Sequence, residues 1–588
     1  MKLNRSQLFA AFAVFWIGLG WLGLMLTLIG AFYKVFLGAY FFLGLVALIF
    51  LFIFNWEEVK KVNRHFFYVL PSSILIIIIF LIFSTPTIFS GRDEGSLSGA
   101  AISLAENHQL KFSFPAEKEF FQIYGAGQAL NFPGFNYTTD GQLITQFPLG
   151  YIAWLAIFYS VFGLAGLTLA NGVLLFLFAL AFYFLARIYL RTSSAYFGLL
   201  LILTSFPIFW FSKFTLSENM ALALVWLGVL FFVQFFREEK KFYLFSSVIT
   251  MGFLAFARIE ALAFLVMMVI FLFFRARWVG VNLRTLVSRK ILWILATMAG
   301  VYAVFIAVDS QFFIALIKGF IKPFSGYANA AEIGNSLWNS AFYIGKVFFA
   351  YYLLHFLFFG FIGFIYILKK NKAAAIPFLI ILPSFIYLIF PNISADHPWM
   401  LRRFAFSIIP AGVFYTIMLL DGIFKKRAFF YAFSSIMLAF NLFLMVRFLP
   451  IIPHQKLMSG VSQMLPNFSN SDLILVDQQA SGDGWSMITG PLNFVYGKQA
   501  VYFLNPADLD KLNIHNYPEV YFIVPDSRLD FYAQSGLLER MAPVKNYTLE
   551  NNFLRSDIFG KNAAQASPVI LPTEQKITVS GKLYLLKK

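Results

Sequence analysis

The sequence has no cysteine among its 588 residues, so disulfides, thiolate metal sites and cysteine nucleophiles are excluded. Charged residues are also scarce, at 12% of the chain, whereas soluble domains contain about 25%. The six histidines form no HExxH pair, which disfavours a zinc hydrolase. No Walker loop and no glycine-rich dinucleotide turn occurs, so this chain is not expected to use ATP.

Long apolar segments take the place of these features. The chain is 60% hydrophobic with a mean hydropathy of +0.75, and several apolar windows are long enough to cross a bilayer. The first one is too long for a signal peptide and leads directly into further spans. The net charge of +17 fits basic cytoplasmic loops better than nucleic-acid binding. We therefore predict a polytopic α-helical membrane protein.

Basic loops orient the predicted spans, because Lys and Arg collect on the cytoplasmic side. The start, MKLNRSQ, is basic and is placed in the cytoplasm. The odd number of about thirteen spans then places the C-terminus outside. The predicted spans lie near 8–30, 34–54, 67–89, 167–187, 195–212, 217–236, 242–257, 260–274, 291–308, 347–368, 373–390, 404–420 and 428–449.

One apolar stretch, PLGYIAWLAIFYSVFG at 148–163, is left out of this count. If it crossed the membrane, ARIYLR at 186–191 and every later basic loop would face outside, against the positive-inside rule. We therefore interpret 148–163 as an amphipathic juxtamembrane helix that lies flat in the outer interface.

The pattern changes after residue 450. DLILVD, VYFIVPD and KITVSGKLYLL are short β-type runs separated by turn residues. The chain is accordingly divided into an N-terminal hairpin with its cytoplasmic loop (1–66), a transmembrane domain (67–450) and a soluble extracytoplasmic α/β domain (451–588). The transmembrane domain includes a long first outer loop, 90–147.

The first outer loop opens with two adjacent acids, Asp93 and Glu94, preceded by Arg92 and flanked by Gly91 and Gly95. One interpretation is that the acids only mark the water boundary. The alternative is chemical: the glycines permit close approach of a ligand, and a following helix would present the carboxylates at its N-terminus. A carboxylate there could orient or deprotonate an acceptor hydroxyl.

A second polar cluster, NISADHPWMLRRF, is predicted on the same face. It contains Asp396, His397, Arg402 and Arg403 just before a span. Outer arginines oppose the positive-inside trend, and paired guanidinium groups suit a phosphate. The alternative is a headgroup anchor with an interfacial Trp, which needs neither the Asp nor the His.

A third, weaker group lies at two outer turns. SKFTLSEN contributes Lys213 and Glu218, and FARIEAL contributes Arg258 and Glu260. These four side chains either contact a substrate or form ion pairs that tie helix ends together.

Together, RDEG at 92–95, PLGY…FG at 148–163 and ARIYLR at 186–191 resemble the membrane glycosyltransferases of the GT-C fold. More narrowly, the chain resembles the protein O-mannosyltransferase and aminoarabinose transferase group over residues 67 to 450. DHPWMLRRF resembles a segment of uncharacterised prokaryotic members. The extra hairpin at 8–54 departs from the minimal family core. The WWDYG motif of oligosaccharyltransferases is absent, which disfavours transfer of an oligosaccharide to asparagine.

The resemblance implies a GT-C-like fold and a polyprenyl-phosphate-linked sugar donor. The acidic residue of the first outer loop, which serves the acceptor, corresponds to Asp93, with Glu94 beside it. By residue type and side, Arg402 and Arg403 match the basic residues that hold the donor phosphate. The remaining donor-binding candidates are Arg92, Asp396, His397, Lys213, Glu218, Arg258 and Glu260.

The expected reaction is direct displacement at the sugar C1, onto a protein, lipid or envelope-glycan acceptor. No cofactor is required, although a divalent metal has room between the acids and the phosphate. The expected location is the prokaryotic plasma (inner) membrane. The alternatives are a transporter or flippase for lipid-linked saccharides, with charges near the midplane, and a non-catalytic membrane scaffold. Neither alternative requires Asp93 to meet the two arginines.

Overall fold

The computed structural model describes residues 3–60, 66–279, 289–310, 312–314, 317, 337–388, 396–482, 487–556 and 568–587. Helices dominate the chain up to residue 448, and strands dominate its last part. The helices that bear on the fold are α1 (Arg5–Leu28), α2 (Lys34–Phe54), α3 (Trp56–Lys60), α4 (Phe66–Ile82), α5 (Asp93–Asn107), α6 (Pro115–Tyr124), α7 (Leu149–Phe162), α8 (Leu164–Tyr189), α9 (Thr192–Leu203), α10 (Phe206–Phe211), α11 (Ser217–Glu238), α12 (Lys241–Leu254), α13 (Ala261–Val279), α14 (Arg289–Val308), α15 (Leu337–Ala350), α16 (Leu354–Lys370), α17 (Ile376–Ile381), α18 (Arg402–Ala405), α19 (Ile408–Ile423), α20 (Arg427–Phe448), α21 (Leu457–Met464), α22 (Thr489–Phe494) and α23 (Leu529–Gln534).

Six helices of the described residues are long and apolar enough to cross a membrane, or up to eight if each of two bent pairs forms one span. The chain is therefore an integral membrane protein by length and composition, and the count of thirteen spans stays a prediction. α8 and α11 form the buried centre of the bundle, whereas α2 buries only 6% of its most apolar window. The six helices are α1, α2, α8, α11, α14 from Ile291, and α20.

Two predicted spans differ from the structure in an instructive way. The helix expected over 67–89 ends at Ile82, because Pro86 lacks a backbone N–H and cannot continue a helix. The span expected over 347–368 is divided between α15 and α16, which meet at an angle of 107°. Tyr352 lies between them with a left-handed φ of 54°, and this conformation ends the first helix.

Of the basic loops predicted to share one side, those that the structure describes lie together at one end of the bundle, whereas 280–288, most of the basic loop at 275–290, lies outside the described residues. Three contacts between distant parts of the chain join them. These contacts are Asn4 with Glu238 at 2.9 Å, Tyr189 with the Ala373 carbonyl at 3.2 Å, and Arg427 with Ser194 at 3.3 Å.

The interpretation of 148–163 as an amphipathic helix is wrong in one respect. α7 is buried at every position from Leu149 to Phe158, so it has no polar face. It packs beside α1, α5 and α8, and Trp154 donates a hydrogen bond to the Ala170 carbonyl of α8 at 3.2 Å. Its 14 residues reach about 21 Å, less than the hydrocarbon thickness of about 30 Å. α7 is thus a packed helix that is too short to span.

Two sheets follow the polar segments of the sequence. The first outer loop forms a small antiparallel sheet of β1 (Gly127–Gln128), β2 (Phe135–Tyr137) and β3 (Leu143–Thr145). The last part of the chain forms a five-stranded mixed sheet in the order β5-β4-β6-β8-β7, in which β4 pairs in parallel with β5 and β6. Its strands are β4 (Leu473–Asp477), β5 (Gln499–Phe503), β6 (Val520–Pro525), β7 (Met541–Arg555) and β8 (Thr573–Leu586).

The C-terminal sheet domain packs directly on the segment that precedes α5. The backbone N–H of Met487 donates to the Phe89 carbonyl, and Thr85 donates to the Pro453 carbonyl at 2.7 Å. α22 lies against α5, and a Cβ at Gly490 would come within 2.4 Å of the Ile88 carbonyl. The sheet domain therefore supplies one wall of the region where α5 begins.

Candidate active site

α5 begins with the two acids of the first outer loop. Asp93 and Glu94 occupy its first turn, where the partial positive charge of the helix N-terminus favours carboxylates. The chain turns tightly before the helix: a Cβ at Gly95 would lie 1.8 Å from the Ser90 carbonyl oxygen. Only glycine fits this close approach, as the sequence predicted for the flanking glycines.

The two acids have different surroundings. The Asp93 side chain is 41% exposed, whereas Glu94 is 1% exposed. Ser90 donates a hydrogen bond to Glu94 Oε1 at 2.7 Å, while Glu94 Oε2 has no hydrogen-bond partner among the described residues. Burial raises the pKa of the Glu94 carboxyl, and the Ser90 hydrogen bond only partly opposes this. Asp93 is therefore open to a substrate, and Glu94 is not.

Arg402, on α18, lies between Asp93 of α5 and Glu218 of α11. Its Nη1 lies 2.6 Å from Asp93 Oδ2, and its Nε lies 3.7 Å from Glu218 Oε1 at the start of α11. Glu218 also accepts an ion pair from Arg258 at 2.9 Å. Arg258 in turn lies 2.7 Å from Glu260. Charges from four separate parts of the chain thus form one continuous network.

The far end of this network is buried and aromatic. Arg258 binds Glu260 through both Nη2 and Nε, and the Tyr387 hydroxyl donates to the same carboxylate. Burial by itself would raise the pKa of Glu260, but the Arg258 charge outweighs it and lowers this pKa to about 2. Arg403 lies over the Tyr387 ring at 5.6 Å and has no ion pair within the described ranges. Arg403 therefore keeps its full charge for another partner.

A second arm starts at the residue before α5. Arg92 Nη2 lies 2.5 Å from Asp396 Oδ2, and its guanidinium lies 4.8 Å from the Trp399 ring centroid. The next residue, His397, contacts the Tyr351 hydroxyl through Nδ1 at 3.1 Å. Burial lowers the pKa of His397 to about 4, and the Asp396 charge opposes this only in part. His397 is therefore a neutral hydrogen-bonding group at neutral pH.

Lys213 is placed differently from the other candidates. Its Nζ donates to the carbonyls of Leu449 and Ile451, at 2.5 and 3.0 Å, just past the end of α20. A cation at this position satisfies carbonyls that have no partner within the helix. Lys213 thus ties α20 to the turn before α11, and it contacts no other candidate residue in the described hydrogen bonds.

The structure brings together nearly all of the residues singled out in the sequence. The network around Arg402 and the arm around Arg92 start from adjacent residues, and their ion pairs join residues up to 309 positions apart in sequence, the separation of Asp93 and Arg402. Tyr351 and Tyr387 belong to the site but were missed, because they lie in apolar segments with no charged neighbour. Within the described ranges no group of three His, Asp or Glu residues could hold a metal ion.

No protein-family model matches the sequence, and no curated protein matches it. Among solved structures, the chain shares the fold of membrane glycosyltransferases of the GT-C type, which confirms the resemblance drawn from the sequence at the level of fold. One such structure is the crystal structure of ArnT from Cupriavidus metallidurans bound to undecaprenyl phosphate. It is 11% identical, with a TM-score of 0.51, over 86% of this chain and 96% of that chain.

Two further structures are more distant. The apo form of the same ArnT has 11% identity and a TM-score of 0.47 over 86% of this chain and 96% of that chain. The Archaeoglobus fulgidus oligosaccharyltransferase in complex with Zn and sulfate has 14% identity and a TM-score of 0.47, over 79% of this chain and 69% of that chain. At 11% identity, the similarity to the ArnT structure with undecaprenyl phosphate shows a shared fold alone.

Proposed function

We propose that this protein is a membrane glycosyltransferase that moves a sugar from a polyprenyl-phosphate donor to an extracytoplasmic acceptor. The observation that carries the proposal is the meeting of Asp93 and Arg402 at 2.6 Å, with Arg403 as the next residue. Asp93 and the arginine pair are more than 300 residues apart in sequence, yet they combine an acceptor-type carboxylate with phosphate-type cations. The ArnT of similar fold was crystallised with undecaprenyl phosphate, a ligand of this class.

In the proposed reaction, the acceptor hydroxyl attacks the sugar C1. A new C1–O bond forms to the acceptor as the C1–O bond to the lipid phosphate breaks. The hydroxyl proton passes to the Asp93 carboxylate, which is the exposed one of the two acids. The polyprenyl phosphate leaves with the electron pair, so no nucleotide and no external reductant or oxidant is needed.

Arg403 is proposed as the main contact of the departing phosphate. Arg402 is already paired with Asp93 and Glu218, whereas Arg403 has no carboxylate partner in the described part of the chain. A planar guanidinium that is held before the reaction starts stabilises the charge that develops on the phosphate. Arg402 then orients the Asp93 carboxylate, and neutral His397 offers a hydrogen bond to sugar or phosphate.

Glu94 takes a supporting role in this proposal. It is buried beneath Asp93, where Ser90 holds one carboxylate oxygen, and it accepts no substrate hydroxyl. Lys213 likewise supports the site by fixing the end of α20. The acceptor class, whether protein hydroxyl, lipid or envelope glycan, and the sugar, hexosyl or pentosyl, are left open. A divalent metal between the acids and the phosphate is an untested addition.

The proposed location is the prokaryotic plasma membrane, with the N-terminus in the cytoplasm and the sheet domain outside. Asn4 lies at the bundle end that carries the basic loops, and the positive-inside rule assigns that end to the cytoplasm. The Asp93 network lies at helix ends: Glu218 is in the first turn of α11, and Arg258 precedes α13. Charges at helix ends favour an interfacial enzyme over a transporter with charges at the midplane.

The test is to incubate purified protein with radiolabelled polyprenyl-phosphate sugars and to measure release of the lipid phosphate. We expect release by the wild type, and a loss on the order of 100- to 10,000-fold in Asp93→Asn, because one acid–base group contributes that much. Asp140→Asn is the matched control, since Asp140 is an exposed carboxylate of the same outer loop. If the protein binds the donor but neither the wild type nor any variant releases the lipid phosphate, the result favours a transporter over an enzyme. Equal release by all three proteins would remove Asp93 from the mechanism.

A further inference from the structure

A second cavity lies far from the Asp93 network. It encloses about 740 Å³ between α2, α3 and α4 on one side and α1, α8 and α11 on the other. Phe52 of α2, Val59 of α3 and Leu70 of α4 line one side of it. Arg237 on its rim is 19 residues along α11 from Glu218, about 28 Å away at 1.5 Å per residue. The cavity therefore opens at the end of the bundle that carries the basic loops.

The interior of this cavity is apolar, and its rim is basic. Aromatic and aliphatic side chains make up most of the lining, and the three charged residues in it are Arg5, Arg187 and Arg237. The lining includes no Asp or Glu. The nearest carboxylate on α11, Glu238, is already held by Asn4 and Lys240, each at 2.9 Å. The positive charge of Arg187 and Arg237 is thus not matched by an acid in the described lining, whereas Arg5 has an interaction partner of its own.

One buried polar group points to a ligand. Gln234 lies one turn deeper on α11 than Arg237 and also lines the cavity. Its side chain is 7% exposed, and its Oε1 has no hydrogen-bond partner among the described residues. An unsatisfied buried amide oxygen destabilises the folded state unless a bound molecule supplies a donor. Arginines in cytoplasmic loops set the membrane topology, and this accounts for the basic rim. It does not account for the buried Gln234 amide oxygen.

We propose that this cavity binds one anionic glycerophospholipid of the cytoplasmic leaflet. The phosphate lies at Arg187 and Arg237, the acyl chains fill the apolar interior, and the headgroup or glycerol contacts Gln234. The volume lies within the range of about 300–1,000 Å³ that is usual for ligand sites. Basic pockets between membrane helices on the cytoplasmic side suit anionic headgroups. The lipid also fastens the hairpin, since α2 buries so little against protein.

The experiment uses the full-length protein in a neutral detergent after lipid removal. Apparent affinity is measured by native mass spectrometry with added phosphatidylglycerol, phosphatidylcholine or inorganic phosphate. The test variants are Arg187→Gln/Arg237→Gln and, separately, Gln234→Leu. The matched control is Lys369→Gln/Lys372→Gln, which removes the same charge from two exposed positions at the same end of the bundle. The thermal midpoint without lipid confirms that each variant is folded.

Phosphatidylglycerol is expected to bind in preference to phosphatidylcholine, and the double arginine variant to lose about 30-fold in affinity, since each arginine contributes about tenfold or less. Gln234→Leu should lose affinity while keeping its folded midpoint, and the lysine control should match the wild type. The proposal is overturned if both lipids bind equally, if the lysine control loses as much as the arginine variant, or if inorganic phosphate alone binds as well as the lipid.

Discussion

Arg258 is the single residue whose removal should damage the network most. It is the shared cation of two carboxylates, with Glu218 at 2.9 Å and Glu260 at 2.7 Å, and its side chain is only 11% exposed. Arg258→Gln keeps a polar group of similar reach but removes the charge. Two acids that share one cation are then left largely uncompensated, which is the costly way to break a buried ion pair.

The expected loss of stability in Arg258→Gln follows from the pKa of the Glu260 carboxyl. Arg258 outweighs burial and lowers the pKa of this carboxyl from 4.5 to about 2, which corresponds to about 3 kcal/mol in favour of the folded state at neutral pH. Because the folded pKa is the lower one, this stabilisation is fully present above pH 4.5 and is lost as the pH falls towards 2. Arg258→Gln should therefore cost about 3 kcal/mol at pH 7 and progressively less below pH 4.5.

The assay is reversible unfolding by SDS titration in mixed micelles, for the wild type, Arg258→Gln, Glu260→Gln and the double variant. The double variant should be more stable than the sum of the single costs implies, by about 1–3 kcal/mol, because it lacks the unpaired Glu260 carboxylate. Arg191→Gln, at an exposed position, is the control and should change little. Costs that add within about 0.5 kcal/mol, or an Arg258 effect that does not shrink in acid, would refute the reasoning.

Three further outcomes are expected. Gly95→Ala forces a Cβ to within 1.8 Å of the Ser90 carbonyl and should lower sugar transfer on the order of 100-fold, because it misplaces Asp93. The measurement is lipid-phosphate release, and the control is Gly38→Ala, where no atom lies within 4 Å of the added Cβ. His397→Gln should make the stability of the protein less sensitive to acid. The pKa of His397 in the folded protein is about 4, below the ordinary 6.5, so the wild type loses stability as the pH falls from 6.5 to 4. Equal thermal midpoints of the variant and the wild type across this pH range would contradict the prediction. Lys213→Met leaves the carbonyls of Leu449 and Ile451 without their donor and should cost about 1–3 kcal/mol in the same SDS titration, whereas an unchanged protein would exclude this role.

Some of the site was accessible from the sequence because charge is rare in an apolar chain. Asp93, Arg402 and Arg403 stand out against long Ile, Leu and Phe runs, and the positive-inside rule places them on one face. Both signals can be read from the sequence because loop charge and span length are properties of short stretches, while the orientation that they imply stays a prediction. The pairing of Asp93 with Arg402 depends only on both segments reaching the same end of the bundle.

Other features depend on information that no short stretch contains. Asp93 and Glu94 are chemically similar neighbours, but one residue of helical rotation sends Glu94 into the core. Lys213 looked like a substrate contact because its carbonyl partners lie about 236 residues further along the chain. The amphipathic interpretation of α7 failed because its outer side is covered by protein instead of solvent. Nothing local marks the left-handed Tyr352 that divides the span expected over 347–368.

The packing of the sheet domain on the start of α5 has a consequence for biogenesis. Met487 and Gly490 complete the wall beside Phe89 and Ile88, and both are synthesised after all of the helices of the membrane bundle. The Asp93 region is therefore unfinished while the ribosome is still adding the last quarter of the chain. In the proposed orientation, the site acquires its final shape only when that segment has been moved across the bilayer and has folded, so a nascent protein caught midway in insertion would hold the Asp93 carboxylate in an incomplete setting.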